Sequence, residues 1–475
     1  MNYTIEKVTT LIGARRYGDT DANISFVLTD SRSLCFPEET LFFALKTERN
    51  DGHNYIPELY ARGVRNFVVE VVPDNWETLY SGSNFLKVVG SLEALQRLAE
   101  RHRDEFLIPI VGITGSNGKT MVKEWLYQLL SPQMVVTRSP RSYNSQIGVP
   151  LSVWLLNENT QVGVFEAGIS KPGEMMALRD IIQPTIGVFT SLGTAHQENF
   201  PSIEAKCMEK LCLFHDTKAI VYSMDDDILT HCLAQYNYQG EQLSWSIKHT
   251  DAAFYIKSIE KKDIETTVTY TWKGGKEAQY KLPFIDDASV ENSITCAVVA
   301  LHLGVTQAAL AERMAQLEPV AMRLEVKEGQ HGCTLINDSY NSDYNSLDIA
   351  LDFMNRRPDH KGRKRTLILS DILQSGEEDK ELYNKVAFLC EKRGVNKFIG
   401  IGEGLLAERN AFKHLGEKHF FATINAFIHS EEFTNLHDEV ILLKGARQFG
   451  FDHLTELLVK KVHETVLEVN LNAVV

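Results

Sequence analysis

Residues 111–120 read Val-Gly-Ile-Thr-Gly-Ser-Asn-Gly-Lys-Thr, a glycine-rich turn between an apolar run and a helical pattern extending from Met121 to Leu130. Such a junction presents backbone N–H groups and a helix N-terminus to phosphates. Gly115, Ser116, Asn117 and Gly118 form the cradle, Lys119 is placed to reach the β- and γ-phosphates, and the Thr120 hydroxyl is placed to ligate Mg²⁺. The common phosphate-loop spacing requires glycine at position 113, where this chain has Ile113. Downstream, Phe165-Glu166 ends a short apolar run and puts a carboxylate at the C-terminal edge of an expected parallel strand, where ligands of such sheets bind. A further run, Thr190 to His196, sets an imidazole after a second strand, which suits a metal site shared with Glu166. Lys206 and Lys210 are i,i+4 neighbours on a helical pattern and repel each other mildly as plain ammonium groups.

These groups need a scaffold of strand ends. Runs such as Asn66–Val72, Ile108–Ile113, Gly163–Glu166, Ile186–Thr190, Thr366–Ser370 and Val440–Leu443 alternate with helical patterns, the signature of an α/β protein with largely parallel sheets. Boundaries fall where the helical run Ser91–Arg103 gives way to a new strand and at Glu318-Pro319-Val320. The expected segments are therefore 1–105, 106–319 and 320–462, with 463–475 as a separate tail. Alternation in Thr266–Trp272 followed by Lys273-Gly-Gly275 predicts an antiparallel hairpin, placed at the far side of the middle segment.

Composition agrees with about three ordinary globular domains: 44% of residues are hydrophobic and 24% charged. Forty-nine basic against 63 acidic side chains give a net charge of −14, which argues against a nucleic-acid or anionic-lipid coat. Seven scattered cysteines without a C-x-x-C spacing fit reduced thiols rather than disulfides or structural zinc. The N-terminus has no signal-peptide layout and no apolar run spans a bilayer, so a soluble, cytoplasmic protein is expected.

The loop form T-G-S-N-G-K-T resembles that of the Mur ligase and folylpolyglutamate synthetase superfamily, whose members join an amine to a carboxylate through an acyl phosphate. Further strings along the middle and last segments stand in family order. Thr190-Ser-Leu-Gly-Thr-Ala-His196 is similar to T-N-x-x-x-A-H, with Ser191 in place of asparagine. Lys210-Leu-Cys-Leu-Phe214 is similar to the segment whose lysine is carbamylated in relatives, with Lys206 as the fallback position. Arg141 to Pro150, carrying Asn144 and Ser145 where the family has N-N, resembles a substrate-contacting segment. Asn292 is retained from H-N-x-x-N, while Glu291 and Thr295 depart from it. Met322-Arg323, Asn337-Asp338-Ser-Tyr340-Asn341 and Lys444-Gly-Ala446-Arg447 resemble the third-domain motifs. Leu28–Arg32, Leu41–Lys46 and Asp51–His53 resemble the uridine-diphosphate-binding domain of the Mur branch.

The resemblance implies a three-domain Mur ligase fold: a UDP-substrate domain, a central P-loop parallel-sheet ATPase domain and a Rossmann-like C-terminal domain. It implies ATP and two Mg²⁺ ions as cofactors, with Thr120, Glu166, His196 and carbamylated Lys210 as metal ligands. Lys119, Lys210, His196 and Arg323 are the expected catalytic set; Asn292, Arg323 and Asp338 join the loop in binding ATP. Asp30, Ser31, Arg32, Lys46, Asn144, Ser145, Tyr340, Asn341, Lys444 and Arg447 are the expected substrate contacts. Asp338-Ser-Tyr-Asn341 favours the branch that adds D-alanyl-D-alanine to UDP-N-acetylmuramoyl-tripeptide in peptidoglycan precursor synthesis. The alternatives are the ligase that adds the third amino acid and a degenerate, non-catalytic nucleotide-binding homologue. The tail Leu467–Ala473 resembles the opening strand of an alanine racemase domain, which implies a ligase fused to a racemase.

Overall fold

The computed structural model describes residues 2–459 except 48–49, 194–196, 263, 321–323, 340–341, 357–361, 374, 376 and 447–448. The tail 463–475, with its racemase-like strand, lies outside the described residues. The chain divides into two compact units, Met1–Phe284 with Ala288–Leu317, and Ile285–Asp287 with Glu318–Val475.

The first unit contains two large sheets. The smaller has the strand order Arg15–Tyr17, Asn84–Lys87, Asn66–Val69, Thr40–Phe43, Phe26–Leu28, parallel except at its first pair. Its strands are apolar on both faces: Leu41, Phe43, Val68 and Leu86 pack with Val8, Leu95 and Leu98, while Phe42, Phe67, Val69 and Phe85 pack with Ile56 and Leu59.

The larger sheet begins at one edge with Val136–Arg138, then Val162–Glu166, Ile110–Thr114, Ile186–Phe189, Ala219–Ser223, Glu241–Ser246 and Phe254–Lys262, all parallel. Two antiparallel strands, Glu265–Trp272 and Glu277–Leu282, complete the other edge. Lys273 (φ 46) and Gly274 (φ 68) are both left-handed, as a type I′ turn requires, and Gly275 N donates to Trp272 O at 2.9 Å. The chain leaves Ile110–Thr114 toward one edge for two strands and then crosses to its other side. That reversal opens a crevice at the strand C-termini, the place where this topology binds ligands.

Segments 1–105 and 106–319 share one compact unit because the helix Ser91–Arg103 serves both sheets. Arg103 donates from Nε to Ile182 O (2.9 Å) and from Nη2 to Gln183 O (3.0 Å), and Gln96 bonds Gln146 Oε1 at 3.0 Å. His102 is sandwiched beside them. Its Nε2 faces the Leu156 carbonyl at 3.0 Å, and a carbonyl only accepts, so Nε2 carries the proton and Nδ1 accepts from the Tyr3 hydroxyl at 2.8 Å.

In the second unit the strand order is Glu325–Glu328, Thr334–Asp338, Glu439–Lys444, Lys364–Ser370, Lys397–Ile401, Glu417–Phe421, with only the first pair antiparallel. Apolar clusters cover both faces. Ile336, Leu367 and Leu442 pack with Leu347, Leu351 and Val386, and Leu335, Ile368 and Ile441 pack with Phe427, Phe451 and Leu454. This is the Rossmann-like layering expected from the sequence. All seven cysteines are free, and among the described residues no helix is long and apolar enough to cross a membrane.

Burial pushes the His102 imidazole down to about 4 from its ordinary 6.5. The folded state therefore favours the neutral ring. Its contribution is fully present above pH 6.5 and is lost as pH falls toward 4, because the unfolded chain takes up a proton that the native one refuses. The destabilisation caused by His102→Asn should accordingly shrink by about 3 kcal/mol between pH 7.5 and 4. Urea unfolding of both proteins across that range checks it, and a constant difference would contradict it.

Candidate active site

The phosphate loop is held in its shape by the strand beside it. Gly115 (φ 141) and Gly118 (φ 85) adopt left-handed backbone, and a Cβ on either would overlap a neighbour: the Thr190 hydroxyl at Gly115, the Asn292 amide at Gly118. Ser116 N donates to Ser191 O at 2.7 Å, Gly193 N donates to Ser116 Oγ at 2.9 Å, and Asn117 N donates to Ser191 Oγ at 3.3 Å. The serine that replaces the family's asparagine at 191 thus braces the loop. Asn292 sits over Gly118 on the helix Asp287–His302, with its Nδ2 3.2 Å from Met121 Sδ.

Lys119 is half-buried and folds back over the loop, donating to Gly115 O (2.8 Å) and Ser116 O (3.1 Å). It opens the helix Lys119–Leu130, whose apolar side buries Met121, Val122, Trp125, Leu126, Leu129 and Leu130. On that helix Thr120 Oγ1 donates to Glu166 Oε2 at 3.0 Å and lies 3.0 Å from Ser142 Oγ.

Glu166 is fully buried at the end of its strand. Its Oε2 also lies 3.4 Å from Asn144 Nδ2, and its Oε1 has the Lys123 ammonium at 3.2 Å but no hydrogen-bond partner. Lys123 was not singled out from the sequence. Its position four residues beyond Lys119, among the apolar residues of an otherwise buried helix face, was the available signal.

On the other side of the loop, the helix Ile203–Leu211 brings two buried lysines inward. Lys210 Nζ donates to Gly115 O at 3.1 Å and Lys206 Nζ donates to Gly193 O. Burial first, then the nearby Lys119 and Lys206 ammonium groups, hold the Lys210 amine well below the ordinary lysine range. A solvated helix lysine is therefore not what this residue is.

The remaining expected positions divide. Asn144 accepts from Gly168 N at 2.8 Å as well as facing Glu166, so it belongs to the carboxylate cluster; Ser145 Oγ accepts from Gly148 N at 3.2 Å at the start of the helix Gly148–Val153. Asp30 caps the turn Ser31–Ser33 and pairs with Arg32 at 2.7 Å, while the Ser31 carbonyl accepts from Arg62 at 2.7 Å. The Lys46 backbone forms an isolated antiparallel β-bridge with Asp51, which caps the turn Gly52–Tyr55 and bonds His53 Nδ1 at 2.7 Å. A cavity of about 460 Å³ lies beside Asp30 and Ser33, walled also by Phe26, Pro140, Tyr143 and Trp154.

In the second unit Asp338 and Lys444 end adjacent strands and form a buried ion pair at 2.8 Å. Ala446 N donates to Ser370 Oγ at 3.0 Å. His196, Arg323, Tyr340, Asn341 and Arg447 lie outside the described residues.

A left-handed glycine loop at the switch point of a parallel sheet, with a buried carboxylate and two inward lysines, defines a nucleotide-dependent phosphate-loop enzyme. A family model described as Mur ligase middle domain matches residues 113–300, and one described as Mur ligase family, catalytic domain, matches 23–103. Together they cover more than half of the chain, and the chain belongs to the Mur ligase family. The UDP-N-acetylmuramoyl-tripeptide--D-alanyl-D-alanine ligase of Bacillus subtilis is 26% identical over 396 residues, 82% of each chain. Among solved structures, MurF from Acinetobacter baumannii has a TM-score of 0.81 at 21% identity, covering 96% of this chain and 99% of that one. MurF from Thermotoga maritima in complex with ADP has a TM-score of 0.74 at 22% identity, covering 94% and 97%. These structural likenesses are of the three-domain fold. None of these matches supports an appended racemase domain.

Gly118→Ala should weaken nucleotide binding by about tenfold or more, since it adds backbone strain of ~1–3 kcal/mol and a clash with Asn292. Calorimetric titration with ADP checks this, and unchanged affinity would show that the loop is not the nucleotide cradle.

Proposed function

We propose that this chain joins D-alanyl-D-alanine to UDP-N-acetylmuramoyl-tripeptide, converting ATP to ADP and phosphate. It does so as a cytoplasmic step of peptidoglycan precursor synthesis. The observation that carries the mechanism is the buried Lys210 amine against the phosphate loop. A neutral amine adds to CO₂, forming an N–C bond and releasing a proton, and the product is an anionic oxygen ligand. Lys119 and Lys206 supply the positive surroundings that favour such an anion.

The donor set fits Mg²⁺. Glu166 Oε1 is buried without a hydrogen-bond partner, and the Thr120 hydroxyl bonds the other carboxylate oxygen, Oε2. Thr120, Glu166, carbamylated Lys210 and His196 would hold two ions. When bound, Mg²⁺ neutralises charge between the attacking carboxylate and the γ-phosphate. The chain's own groups do the positioning: loop N–H groups and Lys119 orient the phosphates, Asn292 flanks the loop, and Arg323 brings fixed positive charge.

The tripeptide carboxylate attacks the γ-phosphorus of ATP, ADP leaves, and an acyl phosphate forms. The dipeptide amine then attacks the acyl carbon, phosphate leaves, and the amine gives up a proton. The cavity beside Asp30 suits the uridine-nucleotide end of the substrate, which gives residues 1–105 their role and 106–319 the ATP chemistry. Residues 320–462, with Asp338, Tyr340, Asn341, Lys444 and Arg447, serve the incoming dipeptide and the ATP phosphates.

A degenerate homologue is disfavoured by the hydrogen bonding that Ser191 retains at the loop. The ligase adding the third residue has no observation in its favour. Phosphate release that requires both UDP-tripeptide and D-alanyl-D-alanine, with the pentapeptide product identified by mass, tests the reaction; release without the dipeptide would mark an ATPase instead. Lys210→Ala should lower turnover by orders of magnitude and regain part of it with acetate or formate. Near wild-type turnover in that variant would remove the carbamate.

A further inference from the structure

Among the described residues, Lys123 is a lysine near the loop that the reaction above does not use. Its side chain is wholly buried, with the ammonium against the Glu166 carboxylate. The ammonium donates to Ser139 O at 2.9 Å and to Arg141 O, and lies 2.9 Å from Glu124 Oε1 and 3.2 Å from Glu166 Oε1. Glu124 is held in turn by Arg138 at 3.0 Å, whose guanidinium lies over the Tyr127 ring at 3.4 Å.

Two of those oxygens belong to the turn leading from the strand Val136–Arg138 into Asn144. Arg141 in that turn is left-handed at φ 48, a costly conformation for a residue with a Cβ, and its carbonyl is one that Lys123 holds. The same turn carries Ser142 onto Thr120 and Asn144 onto Glu166. One buried cation thus ties the carboxylate on one strand, the strained turn from another, and the helix bearing Thr120.

We infer that Lys123 is a positioning residue for the divalent-cation carboxylate: it fixes Glu166 and the 139–144 turn in the geometry that receives Mg²⁺ with the nucleotide. The inference rests on Glu166 being a metal ligand. Partners that orient a ligating carboxylate typically change metal affinity by roughly 10–100-fold when removed. An ammonium that merely competed with the metal would act in the opposite direction, because its removal would strengthen cation binding.

The test is direct binding of ADP to the full chain, with and without Mg²⁺, in the wild type, Lys123→Met, Lys123→Gln and Ser142→Ala. Mg²⁺ is expected to tighten ADP binding in the wild type. In Lys123→Met the Mg²⁺ concentration for half-effect should rise about tenfold or more, with Mg²⁺-free ADP affinity unchanged. Lys123→Gln, which retains a donor for the two carbonyls, should recover part of that loss. Ser142→Ala, whose change is at a half-buried turn position, should shift in the same direction by less and provides the readout if the Lys123 variants do not fold. A half-effect concentration that stays constant or falls in the folded variants overturns the inference. Absence of any Mg²⁺ effect in the wild type overturns the metal reading of Glu166 instead.

Discussion

A full carboxylate charge buried at the end of a parallel strand is the constraint around which the catalytic half of this molecule is built. Glu166 is shielded from water, and an ion in that position costs several kcal/mol unless its neighbours replace the lost hydration. They do so from three directions: Thr120 from the helix after the loop, Asn144 from the turn beyond the edge strand, and Lys123 from the next turn of the helix. Thr120 and Lys123 are three residues apart, so they face the same side of the helix and fix its rotation. That rotation in turn sets where Gly118 and Lys119 begin the helix, and so where the phosphate cradle opens.

The opposite wall obeys a different rule, that of close approach. Gly115 and Gly118 leave no room for side chains because Thr190 and Asn292 fill the space that a Cβ would need. Backbone N–H groups are thereby brought to the crevice without bulk. Lys206 and Lys210 arrive from a third element and end on the carbonyls of Gly193 and Gly115. A chain with net charge −14 thus carries a local pair of cations, Lys119 and Lys206, beside the Lys210 amine at one loop. The global charge speaks about coats and surfaces, whereas the phosphates meet only these few groups.

Much of this scaffold was legible. The loop and Glu166 appear as short strings at strand ends and the inward lysine on a helical pattern, and the hairpin at 265–282 declares itself by alternation and by Lys273-Gly274. Lys123 did not appear, because a lone lysine on an amphipathic helix reads as a tolerated polar position until the sheet brings three foreign oxygens to it. The Asp338–Lys444 pair was equally hidden: 106 residues separate partners that strand register sets side by side. A local role that the strings do not declare belongs to Asp30-Ser-Arg32 and Asp51-Gly-His53. Their first service is local, since Asp30 and Asp51 each cap a turn and bond the residue two positions on. Likewise the junction at 105/106 separates sheets but not compact units, because the helix ending at Arg103 buries its polar groups against the carbonyls of the second sheet's helices and loops.

The departures from the family strings illustrate how a site keeps its geometry when letters change. At 191, where the family string has asparagine, Ser191 pins the neighbouring loop with its hydroxyl on Asn117 and its carbonyl on Ser116. At 446 an alanine has no hydroxyl to offer, yet its backbone N–H is fixed by Ser370 from the adjacent strand, so the segment after Lys444 is anchored by the main chain. Both positions thus keep a hydrogen bond to the neighbouring strand or loop, which helps a polar site to stay rigid. At a sequence identity near one quarter the loop keeps its bracing in this way, because the requirement is for a hydrogen bond at a given place and several residue types can make it.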